Sequence, residues 1–161
     1  TPSLPWLESL HQSRSGSLAD DGRITLIWRP TSFLDARFAS RLNPTSSQRA
    51  TAAWGCAVDA GIGAMYHSNV FASQPDEEGE GWNDDALKEL AMVSGIDEPL
   101  LPAFNACVES GKYLPWAANS NVTFQNKAIP GTPSAFLNGT EIPSDALKDS
   151  GSLQTYLLSY T

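Results

Sequence analysis

Two cysteines, Cys56 and Cys107, and two histidines, His11 and His67, are the side chains best able to do chemistry here, and their spacing limits that chemistry. The cysteines lie 51 positions apart with no His or further Cys at ligand spacing, so we expect no metal site. Two readings of the pair stand open. A disulfide would close a long loop, a constraint worth roughly 4 kcal/mol in chain entropy, and would place the protein in an oxidising, exported location. Alternatively both are inert buried thiols. His67, among Met65, Tyr66 and Val70, reads as a core or boundary residue, and His11 as exposed. One histidine in each of two unrelated segments offers neither zinc spacing nor an evident Ser/His/Asp arrangement.

Carboxylates gather between Asp76 and Asp85 but without the alternating ligand spacing of a calcium loop, so a solvated acidic loop is expected. Asn121-Val122-Thr123 and Asn138-Gly139-Thr140 are formal glycosylation sequons, a pattern short enough to arise by chance. A net charge of -8 argues against nucleic acid, whose binding requires neutralised phosphates. No apolar run approaches the roughly 18 to 20 residues that span a bilayer, and the first residues carry no basic n-region or apolar h-region, so any signal or anchor is expected to lie upstream or to have been removed. No cofactor is expected.

The most specific stretch is Gly131-Thr132-Pro133, which leads through Ser134 to Leu137 into Asn138-Gly139 and Thr140 to Ile142. Asn-Gly between extended apolar runs is a strong hairpin signal. About 5 to 6 % of X-Pro bonds are cis in folded proteins, so composition alone leaves Pro133 trans.

These residues must be positioned by the elements around them. Trp6, Leu7, Leu10 and Leu18 suggest an amphipathic helix, and Asp20-Asp21-Gly22 a turn. The β-branched and aromatic run Ile24 to Trp28, ended by Pro30, reads as a buried strand. Small and apolar residues at helical spacing from Ser46 to about Val70 predict two helices divided by Gly61 and Gly63. Asn83, with Asp84 and Asp85 behind it, caps a helix that Gly95 stops. Further helices are predicted from Pro99 to Gly111, from Tyr113 to Asn126, and from Ser152 to Tyr160. One domain of 161 residues is the expectation.

In order and local wording these elements resemble the DsbA-like branch of the thioredoxin superfamily, in particular its exported actinobacterial type. The resemblance is carried by Trp28-Arg29-Pro30-Thr31-Ser32-Phe33-Leu34-Asp35, Tyr66-His67, Val70-Phe71, Gln74-Pro75, Trp82-Asn83-Asp84 and Ser110-Gly111-Lys112-Tyr113. The Gly131-Thr132-Pro133 loop with its hairpin completes it.

The resemblance implies an α/β thioredoxin-like fold in which residues 1-35 and 127-161 form the thioredoxin-like part. Residues 36-126 would be a helical insertion between the first visible strand and the C-terminal hairpin. It implies a structural disulfide between Cys56 and Cys107, and a cis Thr132-Pro133 bond whose loop pairs with extended or unfolded polypeptide substrates. A redox partner protein and an extracytoplasmic location, secreted or in the cell envelope, are implied as well. In such enzymes a Cys-Pro-x-Cys motif begins the first long helix, where the dipole and unpaired N–H groups stabilise a thiolate. By distance to Ile24 that motif falls on Thr1-Pro2-Ser3-Leu4: the proline matches and both cysteines are absent. A hydroxyl and an isobutyl group cannot exchange disulfides, so the chain as written is expected to be redox-inactive. The family's central strand would precede Thr1 and is expected from residues upstream or from another polypeptide. The alternative reading is a non-catalytic thioredoxin-like module for peptide binding or structure.

Overall fold

Residues 18–19, 21–38, 43–77 and 79–160 are described by the computed structural model. The helix expected from Trp6, the Thr1-Pro2-Ser3-Leu4 segment and His11 lie outside these residues; Leu18 sits in a turn. The chain divides into two compact units. One holds Arg29–Lys127; the other holds the described residues up to Trp28 and from Ala128 onward.

The helical unit is organised by α2 (Ser46–Asp59), which follows the short α1 (Leu34–Arg37). Ala50, Ala53 and Ala57 fall at i, i+3 and i+7, making a face of small side chains onto which neighbouring helices close. Those neighbours are α3 (Gly63–Ala72), α5 (Leu101–Glu109, entered through a 3-10 turn at Glu98–Leu100) and α6 (Leu114–Asn126). α4 (Asp84–Val93) packs between α3 and α5. Tyr66, Leu87, Ala91 and Phe104 complete the core with the alanines, and the Tyr66 phenol donates to the Leu87 carbonyl at 2.9 Å. Burial pushes the Tyr66 hydroxyl well above its ordinary pKa.

α4 follows the capping rules closely. The Asn83 side-chain oxygen accepts from the Ala86 N–H at 2.8 Å, and Asp84 and Asp85 occupy the first turn. At its other end Gly95 takes φ 79°, which frees the Gly95 N–H for the Met92 carbonyl and the Ile96 N–H for the Ala91 carbonyl. The same pair of bonds closes α2 and α5.

In the second unit, β1 (Phe136–Leu137) and β2 (Thr140–Glu141) pair antiparallel with Leu137 opposite Thr140. The Ile142 N–H donates to the Ala135 carbonyl at 2.8 Å, extending the pairing beyond the ladder. After a 3-10 turn (Ser144–Leu147), α7 (Ser150–Leu158) packs Leu153 and Leu157 against Ile142 and Leu18. This core is separate in composition from that of the helical unit.

Three sequence expectations need correction. Residues 24–28 enter no ladder with a described strand, and Leu26 and Ile27 are 39 % and 65 % exposed, not buried. β-branched propensity favours an extended backbone but cannot create the neighbour that a ladder requires. The hairpin strands are two residues each, shorter than Ser134 to Leu137 and Thr140 to Ile142, because Pro133 offers no N–H and Ser134 turns its hydroxyl back to the Gly131 carbonyl. The last helix starts at Ser150, not Ser152, because Asp149 is its cap: its carboxylate accepts from the Ser152 N–H at 2.7 Å and the Ser152 hydroxyl at 2.8 Å. Those bonds hold the Asp149 carboxyl below its ordinary pKa.

Candidate functional site

The loop Gly131-Thr132-Pro133 stands immediately before the hairpin and is closed by the Ser134 hydroxyl donating to the Gly131 carbonyl at 2.8 Å. Its Thr132-Pro133 bond is cis. Pro133 is exposed and Thr132 half-buried. Among the described residues, neither the N–H nor the carbonyl of Thr132 takes part in a backbone hydrogen bond. Within the described structure its donor and acceptor are thus left without a backbone partner, an uncommon state for main-chain polar groups. The exposed ring of Phe136 on β1 lies four residues after Thr132.

Cys56 and Cys107 are joined in a disulfide between α2 and α5, with Cα atoms 5.9 Å apart and Cys56 only 2 % exposed. No free cysteine remains. The Cys56 half of the bridge therefore belongs to the helical unit's core, with Ala57 and Phe104, while Cys107 is half-buried against it. The motif position Thr1-Pro2-Ser3-Leu4 lies outside the described residues. No group of three His, Cys, Asp or Glu side chains converges on a metal position among the described residues.

The acidic loop is tied to the start of α2. Asn43 donates to the Glu80 carbonyl at 2.8 Å, the Trp82 N–H to the Ser46 hydroxyl at 2.8 Å, and Arg49 reaches both the Trp82 carbonyl and the Asp84 carboxylate. His67 is half-buried in a file of rings: its centroid is 4.7 Å from Phe71 and 5.5 Å from Trp54.

Sequence reasoning misses two polar clusters. The Asp35 carboxylate accepts the N–H groups of Ser47 and Gln48, at 2.8 and 2.9 Å, and so caps a helix from twelve residues upstream. No local signal announces it. Beyond the bridge, Asp59 accepts from the Lys112 ammonium and the Tyr113 hydroxyl, each at 2.7 Å. The Gly111 helix stop is the one available hint, since it fixes where Lys112 and Tyr113 must follow.

No protein-family model matches the sequence, and no curated protein does. Solved structures do. MdbA, a thiol-disulfide oxidoreductase from Actinomyces oris, superposes with a TM-score of 0.73 at 20 % identity, over 96 % of this chain and 74 % of its own. The reduced form of the disulfide bond oxidoreductase DsbG from Mycobacterium tuberculosis gives 0.64 at 23 % identity, over 88 % of this chain and 65 % of its own. The fold is that of the DsbA-like thioredoxin superfamily. Reduced DsbA from Mycobacterium tuberculosis also matches, with a TM-score of 0.54 and 25 % identity over 81 % of this chain and 69 % of its own.

On this DsbA-like scaffold the candidate site is the loop at Thr132, and the one covalent sulfur feature is a bridge in the helical unit. No described helix is long and apolar enough to cross a membrane.

Proposed function

We propose that this protein is a DsbA-like thiol-disulfide oxidoreductase domain for disulfide formation or exchange in exported polypeptides, redox-inactive as its sequence stands because the catalytic cysteine pair is absent. The observation that carries the docking role is the Thr132 backbone, which has no backbone partner among the described residues and which an extended or unfolded polypeptide can engage as a short added strand. The inactivity rests on arithmetic: the chain has two cysteines and both are in the Cys56–Cys107 bridge. In this reading Thr1, Pro2, Ser3 and Leu4 correspond in sequence to the catalytic motif, and Gly131, Thr132 and Pro133 are the residues that meet the polypeptide. A redox partner protein and an extracytoplasmic location belong to the same reading, because the bridge needs an oxidising compartment to form.

The test has two parts. An insulin-reduction or dithiol-oxidation assay on the chain as written gives no turnover; measurable turnover would show that the bridge or another group exchanges disulfides and would overturn the inactive assignment. Titration with a reduced, unfolded polypeptide, followed by amide NMR, shifts Thr132 and Ser134 first. Shifts confined to the helical unit would overturn the docking role of the loop, whereas binding at Thr132 with no turnover even after a Cys-Pro-x-Cys motif is installed at positions 1–4 would favour the second reading, a non-catalytic thioredoxin-like module for peptide binding or structure.

A further inference from the structure

Asn138 and Gly139 form the turn of the hairpin with φ 51° and 87°, both in the left-handed region. Both are exposed. The Asn138 side chain makes no hydrogen bond with the described residues, and the Gly139 N–H enters no backbone hydrogen bond among them. We propose that Asn138 is a site of spontaneous succinimide formation, which converts it largely to isoaspartate and releases the hairpin that carries the Thr132 loop.

The chemistry needs only water. The Gly139 amide nitrogen loses its proton and attacks Asn138 Cγ, forming a five-membered ring; the bond from Cγ to Nδ2 breaks and ammonia leaves with a proton. Water then opens the succinimide at one of its two carbonyls. Opening at the main-chain carbonyl leaves the backbone running through Cγ, an isoaspartyl linkage with one extra methylene in the main chain. Opening at Cγ gives aspartate. Each product adds a carboxylate at the turn.

The other seven asparagines lack this combination. Asn43 precedes Pro44, which has no N–H to deprotonate. Asn69, Asn105, Asn119, Asn121 and Asn126 lie in helices, where the following nitrogen is committed to a carbonyl one turn back, as Lys127 is to Thr123. The Asn83 side chain is held as the cap of α4 by the Ala86 N–H. Only Asn138 combines, among the described residues, a side chain without a hydrogen bond, a following nitrogen outside any backbone hydrogen bond and a neighbour with no Cβ to block the approach.

The structural consequence follows from the length of the turn. A two-residue connection fixes the register of its strands, here Leu137 opposite Thr140, and an added backbone atom cannot be absorbed without shifting it. With only two residues in each strand, what remains to resist that shift is the Ile142–Ala135 hydrogen bond and the packing of Ile142 on α7.

The folded, disulfide-intact protein is incubated in mildly alkaline buffer, and peptide mapping with isoaspartate-specific methyl transfer follows each asparagine. The expected result is loss of Asn138 on the order of tenfold faster than any other asparagine, since only glycine leaves the attacking nitrogen open. The isoaspartyl fraction, once separated, shows faster hydrogen exchange at the Ile142 amide. Asn138→Gln, whose longer side chain disfavours the ring, is the mapping control. Intact Asn138 in the folded protein with conversion only after denaturation, comparable loss at all asparagines, or unchanged Ile142 exchange in the isoaspartyl fraction would each overturn the proposal.

Discussion

The Tyr113 ring packs against Gly55, so close that a Cβ added at Gly55 would sit 2.5 Å from Tyr113 Cγ. The position is in the middle of α2, where glycine is unfavourable by about 1 kcal/mol relative to alanine. The clash outweighs that gain, because the blocking atom is the root of a ring whose hydroxyl is anchored on Asp59. Overpacking of this kind costs typically about 1–3 kcal/mol. Gly55→Ala is therefore expected to lower stability in denaturant titration. In a Tyr113→Ala background the same substitution should stabilise the protein, and a cycle without that change of sign would refute the account.

Asp35 caps α2 across twelve residues, and its loss should act on that helix alone. Asp35→Ala leaves the Ser47 and Gln48 N–H groups without partners, a loss of about 0.5–2 kcal/mol for a cap of this type. Hydrogen exchange at those two amides should accelerate well beyond that at Cys56 in the same helix. Equal acceleration along all of α2 would mean that Asp35 stabilises the unit by some route other than capping.

These two contacts show what the sequence does and does not announce. α4 is legible because its signals are local: Asn83, Asp84, Asp85 and Gly95 act within one turn of the ends they define. The hairpin is legible for the same reason, through Asn138 and Gly139. Residues 24–28 mislead, because whether a β-branched run is a buried strand depends on a neighbour that composition does not specify. The contacts from Asp35 to α2 and from Tyr113 to Gly55 span 12 and 58 positions (113 − 55) and depend on how helices are placed, information that no window of sequence contains. At the candidate site, the Thr132 loop is recognisable as a motif, whereas the lack of a backbone partner for Thr132 among the described residues is visible only in the fold.

The Cys56–Cys107 bridge should be a major stabiliser of the helical unit. It closes a loop of 51 residues, for which the chain-entropy relation gives roughly 4 kcal/mol. Paired Cys56→Ser and Cys107→Ser substitution should lower the denaturation midpoint accordingly, with the further cost of placing a hydroxyl in the space of a buried sulfur. Thiol titration of denatured, unreduced wild-type protein should find none; two thiols would remove the bridge from the argument.

The Asp59 cluster gives the stability of the protein a pH signature at both ends of the scale. The hydrogen bond from Lys112, then that from Tyr113, hold the Asp59 carboxyl below its ordinary value of 3.8. A group with a depressed folded-state pKa contributes fully above its unfolded pKa, and the contribution disappears as pH falls through the folded value. Lys112 and Tyr113 are shifted upward, each mainly by its hydrogen bond to Asp59, so their contributions are complete below 10.5 and 10.0 and decline as pH rises through the folded values. Wild type and Asp59→Asn should therefore differ by a constant amount across neutral pH. The difference should shrink in acid below the usual carboxylate range and again in strong alkali. The Lys112 and Asp59 side chains are solvent-exposed, so added salt should reduce the neutral plateau. A difference between the two proteins that persisted unchanged into acid would show that Asp59 acts through packing and not through its charge.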